Sequence, residues 1–170
     1  MSDLFHEAVS EEFIRSVFNV MNRAHWHHFQ ILTKRAERLE ELAPGLQWGR
    51  NIWQGVSVEN ADYLWRLQHL RSVPASVRFL SIEPLLGPLR KLPLKGIDWV
   101  IVGGESGPRH RAVMAEWVAD IRDQCQRQRV PFFFKQWGGR TSKSGGNTLE
   151  GRQWMDYPIM KRRIPKRSQA

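Results

Sequence analysis

Apolar residues fall along this chain in two alternating rhythms. Short runs rich in β-branched and aromatic side chains recur at residues 28–33, 51–58, 77–82, 99–102 and 131–135. Runs this short and this apolar predict buried strands of the kind found in parallel sheets. Between them, apolar positions return every three or four residues: Phe13, Ile14, Val17, Phe18 and Met21 in 11–23; Leu64, Trp65, Leu67 and Leu70 in 61–71; Trp117, Val118, Ile121 and Cys125 in 115–129. Together with 35–42 these segments predict four helices, each with one apolar face. Ser10 stands before Glu11 and Glu12, so a side-chain cap and first-turn carboxylates both favour a helix start there, and Asn60 is placed to cap the third helix. Residues 84–96 are too broken by proline to form a regular helix, so one crossover is predicted to be degenerate.

Strands alternating with helices define an α/β fold built on a mostly parallel sheet. A partial (βα) barrel and an open parallel sheet of about five strands with flanking helices both satisfy the pattern. Beyond Gly138 the composition shifts to Gly, Ser, Thr and Lys. The expected organisation is a barrel-like domain over 1–138, an appended segment over 139–158 and a basic flexible tail over 159–170.

Composition narrows the classes. With 170 residues, 41% hydrophobic, 25% charged and 8 Phe, 8 Trp and 2 Tyr, the chain suits one globular domain. Its longest apolar runs fall far short of the roughly 18–20 residues of a membrane helix. The opening Met-Ser-Asp-Leu-Phe-His-Glu lacks the basic and apolar regions of a signal peptide, so a cytoplasmic location is expected. The single cysteine, Cys125, can form no internal disulfide and cannot by itself ligate zinc or an iron–sulfur cluster; it reads as an inert helix residue. The net charge of +9 raises the question of nucleic acid, but residues 139–170 hold eight basic and two acidic side chains, leaving only +3 for the body. The final Lys-Arg-Arg-Ile-Pro-Lys-Arg run is the segment available to touch phosphates non-specifically, although a solvated, disordered terminus is the commoner meaning of such a run.

Candidate chemistry gathers where strands end. The first strand is followed by Thr33, Lys34 and Arg35, the second ends in Ser57 and Glu59, and the third in Ser81 and Glu83; the fourth leads into Gly103, Gly104, Glu105 and Ser106, and the fifth into Lys135, Gln136 and Trp137. In a parallel sheet these groups meet on one rim, the usual binding face of such folds. The glutamates offer acid/base chemistry or acceptors, and the lysines and Arg35 offer partners for anions; ion pairs among them are the competing reading. Asp3 and His6, just before the first helix, would lie at the same rim if a strand preceded them. The glycines of 103–107 would let backbone approach a ligand closely, although the turn matches neither the P-loop nor the dinucleotide fingerprint. His25, His27 and His28 lack a matching carboxylate at a ligand spacing, so no metal site is assigned. The sequence holds no Gly-x-Ser-x-Gly, His-Glu-x-x-His or Cys-x-x-Cys, which removes the common serine hydrolase, zincin and thiol-redox classes. Trp53, Trp99 and residues 132–134 are expected in the core, with Trp137 the exposed ring.

The same segments carry a resemblance. Ser2-Asp3-Leu4-Phe5-His6-Glu7, Leu32-Thr33-Lys34-Arg35 with Glu37-Arg38, Gly55-Val56-Ser57-Val58-Glu59, Ser81-Ile82-Glu83-Pro84-Leu85-Leu86-Gly87, residues 98–107, Phe132-Phe133-Phe134-Lys135-Gln136-Trp137-Gly138 and Leu149-Glu150-Gly151-Arg152-Gln153-Trp154 resemble, in order, the phage Gp proteins named for gene products thirty-seven and sixty-eight. That resemblance implies a radical-S-adenosylmethionine-like protein on a partial or full α/β barrel, with an iron–sulfur cluster held by an N-terminal cysteine motif and a reaction not established. This chain begins inside the Ser-Asp-Leu-Phe-His motif and carries no cysteine-bearing segment. It also has Ala36 where such proteins often have Pro, and a more basic Arg109-His110-Arg111. The resemblance therefore implies the substrate-side part of such a protein, incompetent alone, with Glu105 and the Gly103-Gly104 turn touching cofactor or substrate and Lys34, Arg35, Glu59, Glu83, Lys135 and Gln136 lining the substrate mouth. An upstream-encoded segment or partner subunit would supply the rest and cover an otherwise unpaired sheet edge. The alternatives are a nucleic-acid-binding module using the tail with Arg109 and Arg111, and a non-functional fragment.

Overall fold

A computed structural model describes residues 3–141 and 144–159. The C-terminal basic run from Lys161 lies outside the described residues.

Helix α1 (Glu11–Arg23) starts where the sequence places it, the Ser10 hydroxyl accepting the Phe13 N–H at 3.2 Å. Strand β1 (Phe29–Thr33) follows, then α2 (Ala36–Leu42), β2 (Ile52–Ser57), α3 (Arg66–Ser72), β3 (Arg78–Ile82), β4 (Trp99–Gly103), α4 (Ala115–Gln128) and β5 (Phe132–Gln136). A small hairpin, β6 (Thr148–Leu149) and β7 (Arg152–Gln153), comes last. The predicted third helix is split: Asn60 does cap, accepting the Asp62 N–H at 2.9 Å, but what it opens is a single 3₁₀ turn, and regular α-helix begins only at Arg66. Such tight turns are common at helix entries.

The five strands lie in the order β1-β2-β3-β4-β5, every neighbouring pair parallel. The sheet is open; β1 and β5 do not meet and no barrel closes. Strands that follow one another in chain order, joined by right-handed crossovers, place every connection on the same face. The burial pattern agrees. Ile31, Ile52, Val56, Leu80, Ile82, Val100, Val102, Phe132 and Phe134 share one core with the buried residues of all four helices. The alternate positions Trp53, Phe79 and Trp99 form a second cluster with Val77, joined by no helix residue. The sheet thus has a helix face and an opposite, inner face.

The crossover from β3 to β4 has no helix, as the prolines predict, yet it buries Leu85, Leu89, Leu92 and Leu94. Buried backbone without a helix needs partners from elsewhere. Two glutamines of α4 supply them: Gln124 donates to the Leu89 carbonyl and accepts from Leu92 N–H, both at 2.7 Å, and Gln128 makes the equivalent pair with Leu92 and Leu94 at 3.0 and 3.2 Å.

The two sheet edges differ. Along β5, Phe134 N–H donates to the Trp154 carbonyl at 2.8 Å and Asp156 N–H to the Phe132 carbonyl at 3.1 Å, so residues 154–156 cover that edge. Leu149 and Trp154 belong to the main core. Along β1 no strand covers the edge among the described residues, and Gln30 and Leu32 on its inner face are exposed. Strand β1 is therefore buried on one face only. No helix among the described residues is long and apolar enough to cross a membrane.

Candidate functional site

Strand register turns the sequence motifs into a surface. On the inner face, Gly55, Phe79 and Trp99 stand in one row across β2, β3 and β4, and Ser57, Ser81, Ile101 and Phe133 form the next, across β2 to β5. Period-2 alternation carries the same face to Lys34, Glu59, Glu83 and Lys135 at the strand ends. The inner face is therefore graded. Its floor is aromatic, with Trp99 edge-on to Trp53 and Phe133 at ring separations of 6.1 and 5.9 Å. Its middle is small and hydroxylated toward β2 and β3, and its rim is charged.

The rim charges are paired with one another. Glu59 lies between the Lys34 ammonium and Arg66 Nη1, the latter at 3.1 Å, and Arg66 also donates to the Ser57 carbonyl at 2.8 Å. Arg66 is held from beneath by Tyr63, whose ring centroid lies 4.2 Å from the guanidinium. Burial pushes the Glu59 carboxyl up, but the Lys34 hydrogen bond, the residue's own backbone N–H and the two nearby cations outweigh it and hold the group below its ordinary range. On the next strand both oxygens of Glu83 lie 3.0 Å from Lys135 Nζ, and Gln136 Nε2 donates to Oε1 at 2.7 Å. Consecutive strand residues ordinarily point to opposite faces; here a register shift between Val102 and Gly103 breaks the β4–β5 alternation, and both reach Glu83.

The glycine turn after β4 is filled by the protein itself. A Cβ on Gly103 would meet the Glu83 side chain at 3.2 Å, and one on Gly104 would come within 1.9 Å of the Trp137 carbonyl oxygen. Gly138, at φ +80°, would bring a Cβ within 2.0 Å of the Glu105 carbonyl oxygen. These glycines let the 103–107 and 136–139 segments zip together, Gly104 N–H donating to Gln136 at 2.8 Å and Gly139 N–H to Glu105 at 2.9 Å. Trp137, expected as an exposed ring, is half-buried because it packs edge-on against Phe134 at 4.7 Å and donates from Nε1 to the Thr148 carbonyl at 2.8 Å.

Glu105 is separate from the Glu59 and Glu83 pairs. Arg111 grips its carboxylate through Nε, Nη2 and its own backbone N–H, each at 2.8 Å. Those hydrogen bonds hold the carboxyl at about 2. Ser106, Pro108 and Arg109 form the exposed remainder of this loop. Asp3 is a structural knot: it accepts from the Thr33 hydroxyl at 2.8 Å, from Lys34 N–H and Arg35 Nη1 at 3.2 Å each, and from Phe5 N–H at 2.9 Å. His6 is exposed and caps a local turn by accepting the Ala8 N–H at 3.1 Å.

Of the residues expected at the rim, the structure brings together Lys34 with Glu59 and Glu83 with Lys135 and Gln136, while Asp3 with Arg35 and Glu105 with Ser106 lie in other contacts. Sequence reasoning missed Arg66, which reads as an exposed helical position but is buried against Glu59, and Arg111 as the partner of Glu105. It also missed that Ser57 and Ser81 are neighbours, which only parallel register reveals.

The described residues do not fit an iron–sulfur cluster. Cys125 is buried on the core side of α4, its thiol pushed up by burial to about 12, and no three His, Cys, Asp or Glu side chains among the described residues are grouped to hold a metal ion.

Fold and site together define an α/β protein with an open, sequentially ordered parallel sheet and a charged rim at its strand C-termini. A family model described as "Protein of unknown function (DUF5131)" matches residues 1–158, and the chain belongs to that family. Comparison with curated proteins and with solved structures gives no significant match.

Proposed function

We propose that this chain forms the substrate side of a barrel-type active site, with ligand held on the inner face by Lys34, Glu59, Glu83 and Lys135. The observation that carries the reading is the pairing of Lys34 with Glu59 and of Glu83 with Lys135, at the ends of four strands, above a sheet whose strands follow one another in chain order as in a barrel. Sequence resemblance to phage Gp and radical-S-adenosylmethionine-like proteins supports an enzyme of that type. Its cluster and cofactor ligands would come from a further polypeptide segment or a partner subunit, laid along the uncovered β1 edge, where exposed Leu32 offers apolar contact. The paired charges would orient a polar substrate, and the aromatic floor would exclude water beneath it.

The test is to read the coding sequence preceding Met1 in all frames and to express the chain joined to it. A brown, anaerobically purified protein carrying iron and sulfide is the expected result. A colourless protein after reconstitution, or no cysteine-bearing sequence in that frame or a neighbouring gene, overturns the reading.

A further inference from the structure

The two ends of the sheet treat their cations differently. At the strand C-termini Lys34, Arg35, Arg66, Arg111 and Lys135 each lie against a carboxylate. At the opposite end, the segments that lead into the strands, 23–28, 47–51, 71–78, 92–98 and 127–131, hold seven lysines and arginines against one aspartate. None of the seven is in an ion pair among the described residues. The aspartate, Asp98, is half-buried and accepts the Arg78 backbone N–H at 2.9 Å. A further carboxylate, that of Asp156, stands at one margin beside Phe132. The segments lie side by side. Phe29 N–H donates to the Asn51 carbonyl at 2.7 Å, the Ser76 hydroxyl to the Arg50 carbonyl at 2.7 Å, Asp98 N–H to the Arg78 carbonyl at 2.8 Å and Val100 N–H to the Pro131 carbonyl at 3.0 Å. With parallel strands about 4.8 Å apart, the unpaired cations share a strip roughly 19 Å long.

Helix C-termini meet this end, and their carbonyl dipoles account for three of the cations, Arg23, Arg71 and Arg127 in the last turns of α1, α3 and α4. Arg50, Arg78, Lys95 and Arg129 lie outside the helices, so the dipoles leave them unexplained. Like charges gathered without partners repel one another and raise the local potential, which draws in an external polyanion. Beside the strip, in the turn between α1 and β1, stands Trp26, the most exposed aromatic side chain among the described residues at 69%. The His25 ring is edge-on to it at 5.2 Å and the His27 ring is tilted at 5.9 Å. An exposed indole next to a row of mostly arginine side chains suits a nucleobase stacked beside its own phosphates. A lipid surface suits it less, because one indole between two histidines gives no broad apolar face to enter a bilayer. We infer that the strand N-terminal end of the sheet is a docking surface for single-stranded nucleic acid, with phosphates along Arg50, Lys95 and Arg129 and a base on Trp26. The inference goes beyond the substrate-side reading and does not rest on it, since it concerns the other end of the strands.

The experiment is a titration of the full 170-residue chain into fluorescein-labelled oligothymidylate and oligouridylate of about twelve nucleotides, followed by anisotropy across a salt series. Saturable binding is expected, with log affinity falling against log salt at a slope of about −3, for about four neutralised phosphates at roughly −0.7 each. The triple variant Arg50→Gln, Lys95→Gln and Arg129→Gln, all at exposed positions, should bind at least about tenfold more weakly at low salt. Trp26→Ala should lose about tenfold, and Trp26→Phe should recover most of it. A variant with Lys161, Arg162, Arg163, Lys166 and Arg167 all changed to Gln separates this face from the C-terminal basic run, and should keep most of the affinity. The wild-type salt slope stands even if a variant fails to fold. Absence of binding at low salt overturns the inference, as does unchanged affinity in the folded triple variant or in Trp26→Ala. Loss of binding in the C-terminal variant alone overturns it in favour of the basic run, and co-sedimentation with phosphatidylserine vesicles without oligonucleotide binding overturns it in favour of a membrane. The substrate-side reading fails separately, on a colourless reconstituted protein.

Discussion

The ring of Phe79 lies directly over Gly55 across the β2–β3 pair, so close that a Cβ at position 55 would come within 2.3 Å of it. Glycine is needed here for space. Gly55→Ala should cost about 1–3 kcal/mol, read from urea unfolding, because the core must shift to admit one methyl group. Phe79→Leu placed in the Gly55→Ala background should recover part of the loss. A double variant that costs the plain sum of the two singles would remove this contact as the cause.

Glu59 and Arg66 form a buried pair in which removing one partner strands the other. Arg66→Met is expected to cost about 3 kcal/mol, at the lower end for buried pairs because Lys34 still covers Glu59. The Glu59 carboxyl is held below its ordinary value of 4.5, so its stabilising contribution is present above that pH and is lost as pH falls through the folded value. Acid unfolding of Glu59→Gln should accordingly show a shallower loss of stability below about pH 4.5 than the wild-type chain; an identical acid limb would contradict the pairing.

At Glu105 the expectation concerns titration. Its carboxyl carbon, followed by nuclear magnetic resonance, should report a midpoint of about 2, and Arg111→Gln should return it toward 4.5. The pair's contribution to order in the 105–111 loop is thus present at neutral pH and fades between pH 4.5 and 2. A wild-type midpoint near 4.5 would mean the Arg111 grip does not persist in solution.

Trp154 is packed between Arg122 and Arg152, whose guanidinium groups lie 5.1 and 4.1 Å from its ring, and it joins the main core. Trp154→Ala should cost about 3–5 kcal/mol. A chain ended at residue 138 should aggregate at concentrations where the full chain is monodisperse in light scattering, since it bares the β5 edge. A soluble, folded 1–138 fragment would instead make the later segment a dispensable appendage.

Cys125 should not react with a thiol reagent at pH 8 in the folded protein and should react at once in denaturant, its thiol being buried and pushed up to about 12. Rapid labelling of the native chain would show that α4 opens readily.

The fold was legible wherever one local pattern decided it. Ser10 with Glu11 and Glu12 marks the start of α1, five β-branched and aromatic runs mark five strands, and proline marks the crossover without a helix. Barrel and open sheet could not be separated, because the βα rhythm is common to both and closure depends on whether the first and last strands meet. At the site, the rim positions followed from strand ends alone. Their partners did not: Glu59 with Arg66 spans seven residues, Glu83 with Lys135 fifty-two, and Gln136 joins Glu83 across a register shift with no sequence mark. Trp53 and Trp99 are buried as expected, with Phe133 packed against them, but hydrophobicity does not say which of two faces a strand residue takes, so their separation from the main core was not legible.

The unlike edges of the sheet set a limit on how this protein can stick to itself. Growth of a filament by strand pairing needs two open sides on every unit, so that each arrival presents a fresh template. With β5 covered by residues 154–156 and, among the described residues, only β1 bare, two copies joined back to back along β1 would exhaust their long edges. Self-association through the sheet is therefore self-terminating at a pair, and the edge can stay sticky for a dedicated partner without seeding fibres.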